Sequence, residues 1–134
     1  MNGITWVRIA AILGAAGVFI GAFGAHWLEK FPGVANFTSE QLTKSREWLE
    51  TGVRYHFYHA LAILGVGILA IVRPDANLSS PAIAFLVGIL VFSGALYVMT
   101  VTQIRVLGAI VPIGGVAFIV GWVLLALKVG SLKP

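Results

Sequence analysis

The chain has 134 residues, 59% of them hydrophobic and 10% charged, with a net charge of +4 and a mean hydropathy of +0.97. A soluble domain carries about 25% charged residues to face water, so this composition excludes a water-soluble globule and points to one compact integral membrane domain. The absence of cysteine excludes disulfides, thiolate metal sites and cysteine nucleophiles. The nine Lys and Arg residues stand in loops or at the ends of apolar runs. They read as topology signals and lipid contacts, with no nucleic-acid partner expected.

The first apolar run covers about residues 4–28, interrupted by Thr5, Arg8 and His26. About 20 apolar residues cross a bilayer, and the run exceeds the apolar core of a cleaved signal peptide, so it reads as a span. Gly14, Gly17, Gly21 and Gly24 fall on one helical face. Small residues let a second backbone approach closely, which predicts a packing seam. His26 lies on roughly the opposite face.

Residues 29–52 form the only long polar segment. Phe31-Pro32-Gly33 closes the first helix, and Thr38 with Gln41 three residues on predicts a capping box. Glu40–Lys44, Arg46–Glu50 and Glu50–Arg54 are i,i+4 pairs that support a helix over about 38–50. Leu42, Trp48 and Leu49 give that helix an apolar side, which predicts an amphipathic helix at the membrane interface. Gly52 then allows a bend into the second span.

The second span covers about 53–72 and is stopped by Arg73-Pro74. It opens with Val53-Arg54-Tyr55-His56-Phe57-Tyr58-His59. The third span covers about 82–102, with Ser80 as the expected cap and Pro81 at its first position. Within it Ser93, Tyr97 and Thr100 share one face. The fourth covers about 106–127, closed by Lys128 and Lys133, and Pro112-Ile113-Gly114-Gly115 predicts a kink inside it. Gly115 and Pro112 join the glycines of the first run as expected helix-packing residues. The fold expected is an all-α, four-helix transmembrane bundle with a short interfacial helix between its first two spans. Both termini share one side, which carries four positive residues against five on the other. That bias is too small to fix orientation.

Two chemical readings compete at the 53–61 stretch. A hairpin could gather His26, His56 and His59 into a zinc or copper site, or let His26 and His59 ligate a haem. His59, Tyr55 and Arg54 could instead hold a quinone or a lipid headgroup. The plainer reading is an interface belt of amphipathic side chains. The Ser93–Tyr97–Thr100 face is either a small polar cavity or a set of hydroxyls bonded to their own helix. No carboxylate lies in an apolar span, so paired-carboxylate chemistry is not expected.

Four stretches in order, Gly21-Ala22-Phe23-Gly24-Ala25-His26, Arg54-Tyr55-His56-Phe57-Tyr58-His59-Ala60-Leu61, Ser93-Gly94-Ala95-Leu96-Tyr97 and Pro112-Ile113-Gly114-Gly115 with Gly121-Trp122, resemble the signatures of the YgdD/YwdK-type small membrane proteins. That is a domain-of-unknown-function family with mitochondrial relatives. The resemblance implies a four-span protein of the bacterial inner membrane and brings no established activity, cofactor or catalytic residue. The function expected is a non-enzymatic accessory, assembly or lipid-interacting subunit. It would associate with membrane lipids, and with a larger membrane complex or further copies of itself. The competing class is a binding or transport protein for a quinone, lipid headgroup, metal or small solute near His26, Tyr55 and His59. An enzyme is the third class.

Overall fold

A computed structural model describes residues 1–131. Lys133, expected to close the fourth run, lies outside the described residues. Among the described residues, four helices are long and apolar enough to cross a membrane. They are α1 (Gly3–His26), α2 (Ser39–Val72), α3 (Ser79–Thr102) and α4 (Val111–Gly130). Short 3₁₀ turns, Leu28–Lys30 and Arg105–Ala109, come after α1 and before α4. The all-α membrane bundle read from the sequence is therefore the architecture found.

The second helix departs from expectation. The capping box forms as read: the Gln41 amide donates to Thr38 Oγ1 at 3.2 Å, and the Thr38 amide donates to Gln41 Oε1 at 2.8 Å. But the helix does not bend at Gly52. It runs unbroken for 34 residues, about 51 Å at 1.5 Å per residue, so no separate interfacial helix exists. Its apolar side turns inward: Leu49 packs with Leu28 and Val34 of the preceding loop, and Leu42, Phe23 and Val101 line that small second core. Gly52 is needed for contact, not flexibility. A Cβ there would stand 2.8 Å from the Tyr97 ring. The ion pairs also differ. Lys44 pairs with Glu47 at 3.0 Å, Arg46 crosses to Glu29, and only Glu50–Arg54 forms as expected.

Two more boundaries shift. Leu78, not Ser80, occupies the cap position of α3, with no side-chain cap. Pro112 sits in the first turn of α4. No helical hydrogen bond is lost to a proline there, so the expected kink is absent. Within α3, Ile89–Ser93 form one π-helical turn. Such a turn inserts one residue and rotates the rest of the helix about its axis, and it is frequent at functional sites.

The order of packing is α1 on α2, α2 on α3, and α3 on α4. The backbones of α2 and α4 hardly approach each other. The main core holds Trp6, Ile63, Phe85 and Phe118. The α1–α2 seam runs antiparallel: Gly24 meets Leu49, Gly21 meets Val53, Gly17 meets Phe57, and Gly3 meets Gly67. Gly14, expected in this seam, faces open space. The backbones come closest where Gly3 faces Gly67: a Cβ on Gly3 would stand 2.6 Å from the Gly67 carbonyl oxygen, and one on Gly67 2.9 Å from the Val7 backbone nitrogen. A side chain there must push two backbones apart, whereas Gly14 can take one freely. Gly67→Val is therefore expected to destabilise the protein by about 2 kcal/mol or more, and Gly14→Ala to be neutral or slightly stabilising. Thermal unfolding in mild detergent measures both.

Candidate functional site

The interior of α2 carries the polar groups that a membrane interior penalises most. His59 is buried. Its Nδ1 lies 2.8 Å from the Tyr55 carbonyl, and its Nε2 lies 3.2 Å from Trp122 Nε1. A carbonyl only accepts and an indole N–H only donates. Nδ1 therefore carries the proton and Nε2 accepts from Trp122. The ring is neutral and both nitrogens are engaged. Phe118 stacks on it with centroids 3.5 Å apart and planes 8° from parallel, and Phe85 packs against it as well.

His56, three residues earlier, takes the opposite tautomer. Its Nε2 donates to the Leu13 carbonyl of α1 at 2.8 Å, and its Nδ1 accepts from the Tyr97 hydroxyl of α3 at 3.0 Å. One imidazole thus ties three helices together. The two histidines face different neighbours although they sit on adjoining turns.

The Ser93–Tyr97–Thr100 face is turned against α2, and it is filled, not hollow. Ser93 donates to the Gly52 carbonyl at 2.8 Å. Thr100 bonds its own helix at the Leu96 carbonyl, 2.8 Å away, while Ser45 donates to the Thr100 carbonyl at 2.7 Å. Gln103 ends the helix in a left-handed conformation (φ 57°), and its amide donates to Ser45 Oγ at 2.8 Å. These residues form a polar seam between α2 and α3. Tyr97 is held inside it and is no interface anchor.

His26 stands apart. It is exposed at the end of α1 and lines a recess with Glu29, Lys30 and Arg46. His56 and His59 lie ten and thirteen residues beyond Arg46 on one straight helix, about 15–20 Å away. The hairpin expected to gather three histidines instead spreads them along its length. Among the described residues no three His, Cys, Asp or Glu side chains are grouped to hold a metal. His26 is likewise too distant to share a haem with His59.

The largest concavity beside these histidines is a groove of about 610 Å³ between α2 and α4. Tyr55, Tyr58 and His59 form one wall, Pro112, Val116, Ile119 and Trp122 the other, and Phe92 and Phe118 the floor. Tyr55 and His59 share this groove as their spacing suggests, and Tyr58 joins them. Arg54 does not: it pairs with Glu50 on the α1 side. The groove exists because aromatic side chains, not backbone contact, bridge α2 to α4. Glycine sockets set those aromatics in place. Gly121 receives the Phe85 ring, Gly88 receives Phe118, and Gly114 lies against the Phe92 backbone at the π turn. Gly115, expected at a helix contact, touches the Phe92 ring more loosely at 3.9 Å. Phe85, Phe92, Phe118 and Trp122 are not legible as site residues from sequence. For the three phenylalanines the signal is the glycine spaced to receive each ring; Trp122 shows only as part of the Gly121-Trp122 stretch.

The chain as a whole is similar to known proteins. The profile of the DUF423 family, described as a protein of unknown function, matches residues 20–115. The membrane protein YwdK of Bacillus subtilis is 40% identical over 122 residues, covering 90% of this chain and 91% of its own. The chain belongs to the DUF423 family. A second relative, the membrane protein SSP2132 of Staphylococcus saprophyticus, is 38% identical, with 95% of this chain and 99% of the relative covered. The inner membrane protein YgdD of Escherichia coli K12 is 34% identical, with 92% and 88% covered. No solved structure matches. The chain is thus an inner-membrane protein of a family without an assigned activity, and the matched region contains both histidines and the π turn.

The bonding of the two rings makes a direct prediction. Tyr97→Phe and Trp122→Phe each remove one donor to an imidazole nitrogen. Each is expected to cost about 0.5–1.5 kcal/mol, and the double variant about the sum, because the bonds lie on separate rings. Thermal midpoints in detergent test this. Chelator treatment is expected to leave the wild-type midpoint unchanged, since all four ring nitrogens of His56 and His59 have protein partners.

Proposed function

We propose that this protein is a non-enzymatic, lipid-interacting component of the inner membrane that holds one hydrocarbon chain of a membrane lipid in the groove between α2 and α4. The observation that carries this reading is the groove's position and lining. It opens sideways between two membrane-spanning helices, and its walls are aromatic and aliphatic. From Pro112 to Trp122 it runs ten helical residues, about 15 Å. That is half the hydrocarbon thickness of about 30 Å, the depth of one leaflet. Its single buried titratable group, His59, has both nitrogens engaged, which favours a packing surface over an acid, base or metal ligand. Tyr55 and Tyr58, 38% and 57% exposed as residues, stand at the outer part of the groove, where amphipathic rings meet the headgroup region.

The test is the lipid content of the purified protein. Val116 is 59% exposed and lies on the groove wall, so Val116→Trp fills the groove without entering the core. Native mass spectrometry from mild detergent is expected to show a co-purifying lipid on wild type, and its loss in Val116→Trp at an unchanged thermal midpoint. An unchanged lipid complement in that variant, or recovery of a quinone in place of an acyl lipid, would overturn the reading.

A further inference from the structure

A second groove lies on the opposite side of α2, against α1. It measures about 460 Å³ and is lined by Gly21, Gly24 and Ala25 of α1 and by Arg46, Leu49, Glu50, Val53 and Arg54 of α2. The three charges stand at i, i+4 and i+8, so they climb one face of α2 in the order plus, minus, plus, about 6 Å apart per step. The glycines keep the α1 wall low, so the charges border an open slot.

The depth of this ladder matters. Arg54 precedes the end of α2 at Val72 by eighteen residues, about 27 Å. That places it near the edge of a hydrocarbon core about 30 Å thick. Glu50 lies one turn farther out and Arg46 two turns. The slot therefore occupies the headgroup layer, whereas the α2–α4 groove lies in the acyl layer.

We infer that this slot binds the headgroup of a zwitterionic, amine-bearing phospholipid, with the phosphate on Arg54 and the primary ammonium on Glu50. In such a lipid the phosphate lies next to the hydrocarbon and the amine one step farther toward water. Arg54 and Glu50 present their charges in that same order along the membrane normal. A guanidinium suits phosphate through paired donors, and a carboxylate suits an ammonium that still has protons to donate. Both protein groups are exposed, Arg54 by 52% and Glu50 by 72% of the side chain. Exposed ion pairs are worth about 0–1 kcal/mol, so the Glu50–Arg54 pair can open around a headgroup at small cost. Arg46 is held by Glu29, which leaves the slot proper without net charge. Lys30 and His26 border the adjoining recess, not the slot. A net anion would meet Glu50 unfavourably, and a quaternary amine would offer it no hydrogen bond.

The experiment incorporates the full chain into nanodiscs containing equal parts of phosphatidylethanolamine, phosphatidylcholine and phosphatidylglycerol. Native mass spectrometry then reads the lipids retained on release. Wild type is expected to retain the ethanolamine lipid about five- to tenfold over the choline lipid, the range of one charge-assisted hydrogen bond. Glu50→Gln is expected to erase that preference, and Arg54→Gln to reduce retention of all three lipids. Both positions are exposed, so the thermal midpoints should hold. Equal retention of ethanolamine and choline lipids by wild type, a higher retention of the glycerol lipid, or an unaltered preference in Glu50→Gln would overturn the inference. Val116→Trp, which blocks the other groove, is expected to leave the headgroup preference intact, so the two sites fail or succeed separately.

Discussion

Inside a membrane no water is available to satisfy a stray polar group, and α2 carries more inward polar groups than any other helix. The packing around its buried histidines answers that constraint. Toward the headgroup layer its Ser45 and the carbonyl of its Gly52 bond to α3, and within the span its two buried histidines each find partners on another helix or on α2 itself. An unsatisfied group of this kind would cost several kcal/mol in hydrocarbon. The bonds therefore fix which face of α2 meets α1, α3 and α4, and little rotational freedom remains.

Apolar packing then works on the orientation those bonds select. Helices in lipid gain little from hydrophobicity and associate through close contact. Here glycines supply it in two ways. At Gly3 and Gly67 the backbones of α1 and α2 nearly touch. At Gly52, Gly88 and Gly121 a missing side chain admits an aromatic ring from the next helix. The second device builds the α2–α4 groove. Rings reach across a gap that the backbones leave open, and they cannot fill it to the surface.

Much of this is legible in the sequence, because the cues are local. The four apolar runs, the Thr38–Gln41 cap and the seam of Gly17, Gly21 and Gly24 depend on neighbours within a few turns. The features that escape a sequence reading depend on register. Whether His26 meets His59 is decided by how far α1 and α2 overlap, and apolar length alone does not set that. The π turn at Ile89–Ser93 leaves no periodic signature, since the residues from Ala82 to Phe92 are apolar or glycine and offer no polar face whose phase could shift. Gly52 misleads because glycine between a polar and an apolar segment signals a bend as readily as a contact. The unbroken helix settles it in favour of contact with Tyr97. Pro112 misleads similarly: its position relative to the helix start, not its presence, decides whether it kinks.

The partners chosen by the inward polar groups have an evolutionary consequence. His56 bonds the carbonyl of Leu13, His59 that of Tyr55, Ser93 that of Gly52, and Ser45 that of Thr100. Every residue type offers a carbonyl, so the accepting position is free to change its side chain while the donor is not. Paired substitutions between relatives will therefore be silent about these four contacts, three of which hold separate helices in register. Among the buried contacts described, the Tyr97–His56, Trp122–His59 and Gln103–Ser45 pairs join side chain to side chain and can leave a correlated trace.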